Sequence, residues 1–183
     1  MPYSTIVFLL SVVLAGAVRA PASPSATSND SPDARAVALP DSVKRTLTAE
    51  ERRVASAIQA LFAAAERNDM AALDSIYAGT DLTVMESTGI NRGWADYRDH
   101  HLAPEMKEMK NFRYRPFEIE PHVSGNLAWA IFRYNLGGET GGRVIDNIGR
   151  GTAVLEKRRG KWVVRHTHTA SRARRPTDPP ASY

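Results

Sequence analysis

The sequence predicts an α+β domain in which N-terminal helices pack on a curved antiparallel sheet and enclose a pocket. Two patterns predict it. Between 48 and 77 apolar residues recur at helical spacing, and between 112 and 170 four alternating, β-rich segments are separated by tight turns. Such a sheet must bury one face, and the preceding helices are the available cover. At 183 residues the chain has room for one domain plus tails, and 43% hydrophobic residues suffice for a core.

Order is expected to begin at Thr48. Thr48-Ala49-Glu50-Glu51 fits a capping box, in which the Thr hydroxyl and the Glu51 carboxylate each satisfy an unpaired backbone N–H. Val54, Ile58, Leu61, Phe62 and Ala65 then form one apolar stripe. Asn68-Asp69 breaks that helix and caps a second, with Leu73, Ile76 and Tyr77 inward and Gly79 near its end. Leu82 to Met85 reads as a short strand, and Gly89 to Gly93 as a turn or second short strand. Trp94 to Leu102 is a short helix whose Trp94, Tyr97, His101 and Leu102 share a face, while His100 points about 100° away. Pro104 ends this helix or restarts it. The four long strands are Phe112 to Val123, Leu127 to Leu136, Val144 to Lys157 and Trp162 to Ala170, joined as a meander. Pro116 marks a bulge or a sheet edge in the first of them.

The flanks read differently. Ile6 to Ala17 is an apolar run too short to span a bilayer, followed by small residues, so 1–20 is expected to be a signal peptide. Residues 21–47, rich in Pro, Ala, Ser and Asp, read as a flexible linker, and 173–183, ending its basic run at Pro176, as a disordered tail. The domain is thus expected over 48–172, in a secreted or periplasmic protein with no stable membrane insertion after processing. Cysteine is absent, which excludes disulfides, thiolate metal sites and a cysteine nucleophile. The net charge of +4 is spread along the chain, and its clusters, Lys157 to Arg159 and Arg172 to Arg175, fall at a turn and in the tail. No nucleic-acid partner is expected on that distribution.

Two stretches carry a family likeness. Gly149-Arg150-Gly151-Thr152-Ala153-Val154-Leu155 followed by Trp162-Val163-Val164-Arg165-His166-Thr167-His168 resembles the paired last strands of SnoaL-like proteins, a branch of the nuclear transport factor 2-like superfamily. Trp94 to His101 is similar to the short helix of an exported subgroup. The resemblance covers about 49 to 171. It implies a cone-shaped fold with a pocket between sheet and helices, and commonly a homodimer formed through the sheet. It does not imply one activity, because the superfamily includes isomerases, cyclases, dehydratases and non-catalytic modules.

Candidate chemistry centres on histidine. His166 and His168 lie at i and i+2 of a strand and so share a face, on simple alternation the face of Trp162 and Val164. With His101 from the covering helix and Glu86 after the first strand, they make a possible divalent-metal set of Glu86, His101, His166 and His168. No cofactor is required by the sequence. Without metal, His166, His168, Asp146 and Tyr134 are the candidate acid/base groups, and Trp94, Tyr97, His101 and Arg150 the candidate ligand contacts. Each has a plainer alternative: structural histidines, a solvated Asp146, and an Arg150 ion-paired with Glu118 or Glu120. No serine-hydrolase elbow, phosphate loop or dinucleotide fingerprint is present. Three functions compete: a pocket binding a small, largely apolar ligand with or without acid/base catalysis, a metal-binding version of it, and a non-catalytic dimeric assembly module.

Overall fold

The computed structural model describes residues 45–183 other than Thr88. The expected signal peptide and nearly all of the linker lie outside the described residues. Leu47 to Tyr183 folds as one unit. Its order is α1 (Ala49–Glu66), α2 (Met70–Ile76), β1 (Thr83–Glu86), β2 (Gly89–Arg92), α3 (Trp94–Tyr97), a π-helical turn (Arg98–Leu102), α4 (Ala103–Glu108), β3 (Lys110–Ser124), β4 (Leu127–Thr140), β5 (Arg143–Arg158) and β6 (Lys161–Ala173).

The predicted local signals form. The Thr48 hydroxyl accepts the Glu51 N–H at 3.2 Å and the Glu51 carboxylate accepts the Thr48 N–H at 2.8 Å, closing the capping box. Asp69 caps α2 through the Ala72 N–H. At the other end of α1, Glu66 accepts the Tyr114 N–H at 2.8 Å and pairs with Arg115 at 2.8 Å, which pins the helix to β3.

All six strands form one curved sheet in the order β2-β1-β6-β5-β4-β3. The meander of β3 to β6 is antiparallel as predicted, but β1 joins β6 in parallel, so the sheet is mixed. A chain segment that leaves the helices and enters the sheet beside its last strand can meet that strand in either direction. Only the tertiary path decides which.

Of three register shifts in the sheet, the two away from its Lys110 end set the faces around the core. In β3, Phe117 pairs with Arg133 and Glu120 with Ile131, so one extra residue is accommodated with Glu118 at φ 49°. This bulge falls two residues after Pro116, on a strand that is a sheet edge, and it lets Ile119 and Val123 keep facing the core after Tyr114. In β6, Val164 pairs with Leu155 but His166 pairs with Val154, leaving Arg165 as the extra residue. There the neighbour of β6 changes: the Ala78 N–H bonds to the Val164 carbonyl, and β1 takes over from His166 onward.

The core lies between α1, α2, α3 and the inner face of the sheet, built on Val54, Ile58, Phe62, Leu73, Leu82, Val84, Phe132, Leu155 and Val164. Gly149 and Gly151 on β5 sit directly opposite Tyr134 and Phe132 on β4. A Cβ at Gly149 would lie 2.1 Å from the Tyr134 ring, and one at Gly151 would lie 2.8 Å from the Phe132 ring. The Gly-Arg-Gly element is therefore a pair of flat seats for two aromatic rings.

The tail differs from its expected disorder. Arg172 makes two bonds to the Asp178 carboxylate, at 2.6 and 2.8 Å. Arg174 is nearly buried and donates to Asp146, Asn135 and the carbonyls of Asn147 and Pro179. Tyr183 rests on Gly137. Of the basic side chains that a sequence window shows only as a charge run, Arg174 finds acceptors supplied by β4 and β5, while Arg172 pairs within the tail itself.

Gly149→Ala is expected to destabilise the domain by about 1–3 kcal/mol through overpacking against Tyr134. Urea unfolding of both proteins measures this, and Gly160→Ala, at a turn, serves as the reference for an exposed glycine.

Candidate acid/base site

The helix of α3 and α4 does not run straight. Between them the Ala103 N–H reaches back five residues to the Arg98 carbonyl, a π-helical turn of a kind concentrated at functional sites. Upstream, Asp96 holds the helix start by accepting the Arg92 N–H and the Asn91 amide. His101 lies in this turn, with its ring 5.2 Å from that of Tyr97.

His101 Nε2 lies 2.9 Å from Glu86 Oε2 and 3.4 Å from Glu105 Oε1. Hydrogen bonds to the two carboxylates, Glu105 and Glu86, raise its pKa to about 10, against a smaller opposing effect of burial. At neutral pH it is an imidazolium held between two acids. The three side chains are 26–32% exposed, so solvent and a solute can reach them.

Behind this charged group the site is aromatic. The Tyr97 hydroxyl donates to Glu86 Oε1 at 3.3 Å, and the Thr169 hydroxyl reaches the same oxygen at 3.4 Å. Both are long for hydroxyl donors. Tyr134 is buried, with Ser171 and Thr169 hydrogen-bonded to its phenol. Burial, with the Glu86 charge adding to it, pushes that phenol up to about 12. Burial likewise raises Tyr77, Tyr97 and Tyr114 well above the usual phenol range, and the Glu86 charge acts on each in the same direction. These groups are therefore neutral hydrogen-bond donors, suited to stabilising negative charge formed nearby.

Of the residues singled out in the sequence, Glu86, Tyr97, His101 and Tyr134 come to this inner face. Trp94 lies beside them, but it is buried, stacked on Tyr77 at 4.8 Å and bonded through Nε1 to Asp74, so it walls the site. The other four do not join them. His166 and His168 were expected on the face of Trp162 and Val164; the Arg165 bulge instead turns Thr167 and Thr169 inward and both histidines outward. Asp146 is exposed and paired with Arg174, in line with the solvated alternative. Arg150 is exposed on the outer face, and it is Arg133 that pairs with Glu118. The quartet Glu86, His101, His166 and His168 is thus divided between two faces. Among the described residues no three His, Cys, Asp or Glu side chains are grouped to hold a metal ion.

Sequence reasoning missed Glu105 and Thr169. Glu105 had a readable signal, four residues after His101 in a helical stretch. Thr169 had none, because its direction depends on the bulge.

Comparison with known proteins now places the chain. The sequence profile of the SnoaL-like domain matches residues 54–172, and the protein belongs to this family. A candidate ketosteroid isomerase from Shewanella frigidimarina is similar at 24% identity and TM-score 0.57, over 62% of this chain and 91% of that one. A candidate dehydratase of the NTF2-like family from Streptomyces avermitilis gives 17% and 0.60, over 66% and 94%. An NTF2-like superfamily protein from Salmonella enterica serovar Typhimurium gives 18% and 0.60, over 73% and 96%. At these identities the likeness is one of fold. No curated protein matches the sequence at a significant level.

The His101 bonds make stability depend on pH. The folded state holds this proton up to about pH 10, whereas an unfolded histidine releases it near 6.5, so the stabilisation is complete below about pH 6.5 and lost as pH rises toward 10. Urea unfolding between pH 6 and 10 is expected to show falling stability, with a shallower slope in His101→Gln.

Proposed function

We propose that this SnoaL-like protein binds a small, largely apolar molecule at the Glu86–His101 site and moves a proton on it. The observation that carries this is the Glu86 carboxylate, 2.9 Å from His101, backed by the neutral phenols of Tyr97 and Tyr134. Glu86 Oε1 accepts a proton from a carbon beside a carbonyl. The His101 imidazolium and the phenols stabilise the enolate oxygen that results. Glu105 and Glu86 keep His101 charged, so it serves as a donor. Return of the proton to another atom gives an isomerisation, and loss of a neighbouring hydroxyl gives a dehydration; the site supports the shared first step.

Deuterium incorporation from D2O into a panel of small cyclic ketones tests that step. The wild type is expected to exceed buffer, Glu86→Gln to lower the rate by about 10²-fold or more, and Tyr97→Phe to lower it less. Equal rates in the wild type and Glu86→Gln would leave a binding pocket without catalysis.

Two further features belong to this proposal. The apolar run at Ile6 to Ala17 supports export, and N-terminal sequencing of protein from its native host checks it: a mature start at Met1 would defeat processing. The outer sheet face exposes Leu127, Trp129, Ile131 and Val154 together, which favours association of two copies through it. Light scattering at micromolar concentration is expected to give a dimer, shifted to monomer by Trp129→Glu. A wild-type monomer would remove the idea.

A further inference from the structure

The bulge that removes His166 and His168 from the interior lays them side by side on the outer face of β6. Residues two apart on a strand are about 6.6 Å apart along it and project in parallel. His168 is exposed and His166 partly so, and neither imidazole has a hydrogen-bond or ion-pair partner among the described residues. The parallel pairing of β1 with β6 adds a third donor. Met85 is the register partner of His168, and it faces outward because its neighbours Val84 and Glu86 face the core and the site.

We propose that Met85, His166 and His168 form a binding site for copper(I). Two imidazoles and a thioether are neutral, and the thioether is a soft donor that favours Cu(I) over harder dications. The surroundings point the same way. The outward register neighbours of the trio are Thr83, Ile90, Thr152 and Val154, with Arg92 beside Thr83 and Arg150 two residues from Thr152. On β5 the outward carboxylate of Glu156, two residues from Val154, is already paired with Arg158 and Arg165, and the arginines Arg92 and Arg150 oppose a dication. A monovalent, weakly hydrated ion meets the smaller penalty. His122 does not belong to the set: it stacks on Trp129 and lies three strands from β6, about 14 Å away.

The site is independent of the proposed proton transfer, which uses the opposite face of the sheet. Its test is Cu(I) binding by the full, untagged chain after EDTA treatment, in ascorbate, in competition with bicinchoninate. One Cu(I) per chain is expected. His166→Ala, His168→Ala and Met85→Leu are each expected to weaken it at least tenfold, while His100→Ala, which removes an exposed histidine on the helix, leaves it unchanged. Zn(II) is expected to bind more weakly and to be insensitive to Met85→Leu. Far-UV circular dichroism verifies that each variant is folded. Absence of Cu(I) binding in the wild type, full retention in any of the three variants, or equal loss in His100→Ala would overturn the proposal.

Discussion

The arrangement of side chains on both faces of the sheet depends on one extra residue in β6. Up to Val164 the strand is flanked by β5 and by the chain around Tyr77 and Ala78; from His166 onward it is flanked by β5 and β1. Arg165 absorbs the change of neighbour, and its side chain is held outside by Glu156 at 2.7 Å. Because side chains alternate with a period of two, one inserted residue exchanges the faces of everything after it. Trp162 and Val164 before the bulge, and Thr167 and Thr169 after it, all point inward. Thr169 thereby reaches Glu86, and the histidines are left outside.

The inner face then poses an electrostatic problem. A carboxylate bonded to the buried Tyr97 and set beside an apolar core is costly unless charge of the opposite sign lies close. His101 supplies it, and the π-helical turn together with Glu105 keeps the imidazole charged and in place. The result is a compact group of alternating charge, open enough to solvent to meet a solute. An apolar side behind it disfavours free water and strengthens each polar contact made there.

Depth within the sheet is set by glycine. Phe132 and Tyr134 can lie flat against β5 only because Gly151 and Gly149 have no Cβ. The phenol of Tyr134 consequently reaches Thr169 and Ser171 on β6, one strand beyond. Arg150, between the two glycines, points to the outer face for the same reason of alternation.

Much of this was legible in the sequence. The capping box, the apolar stripe of α1, the cap at Asp69 and the four alternating segments all depend on neighbours within a few residues, and each formed where it was read. The shared face of Tyr97 and His101 followed from the same short-range periods, whereas alternation grouped Tyr134 with Phe132 without saying which face of β4 is the inner one. The sequence by itself therefore determined the elements, their antiparallel succession and the family. Tertiary structure alone decided the parallel entry of β1, the Arg165 bulge, and the docking of the tail by Arg174. Each of these turns on a partner far away in the chain: Ala78 for Val164, Glu86 for Thr169, Asp146 for Arg174. A strand's period can be read from its own residues, but the point at which it slips is set by whichever strand lies beside it.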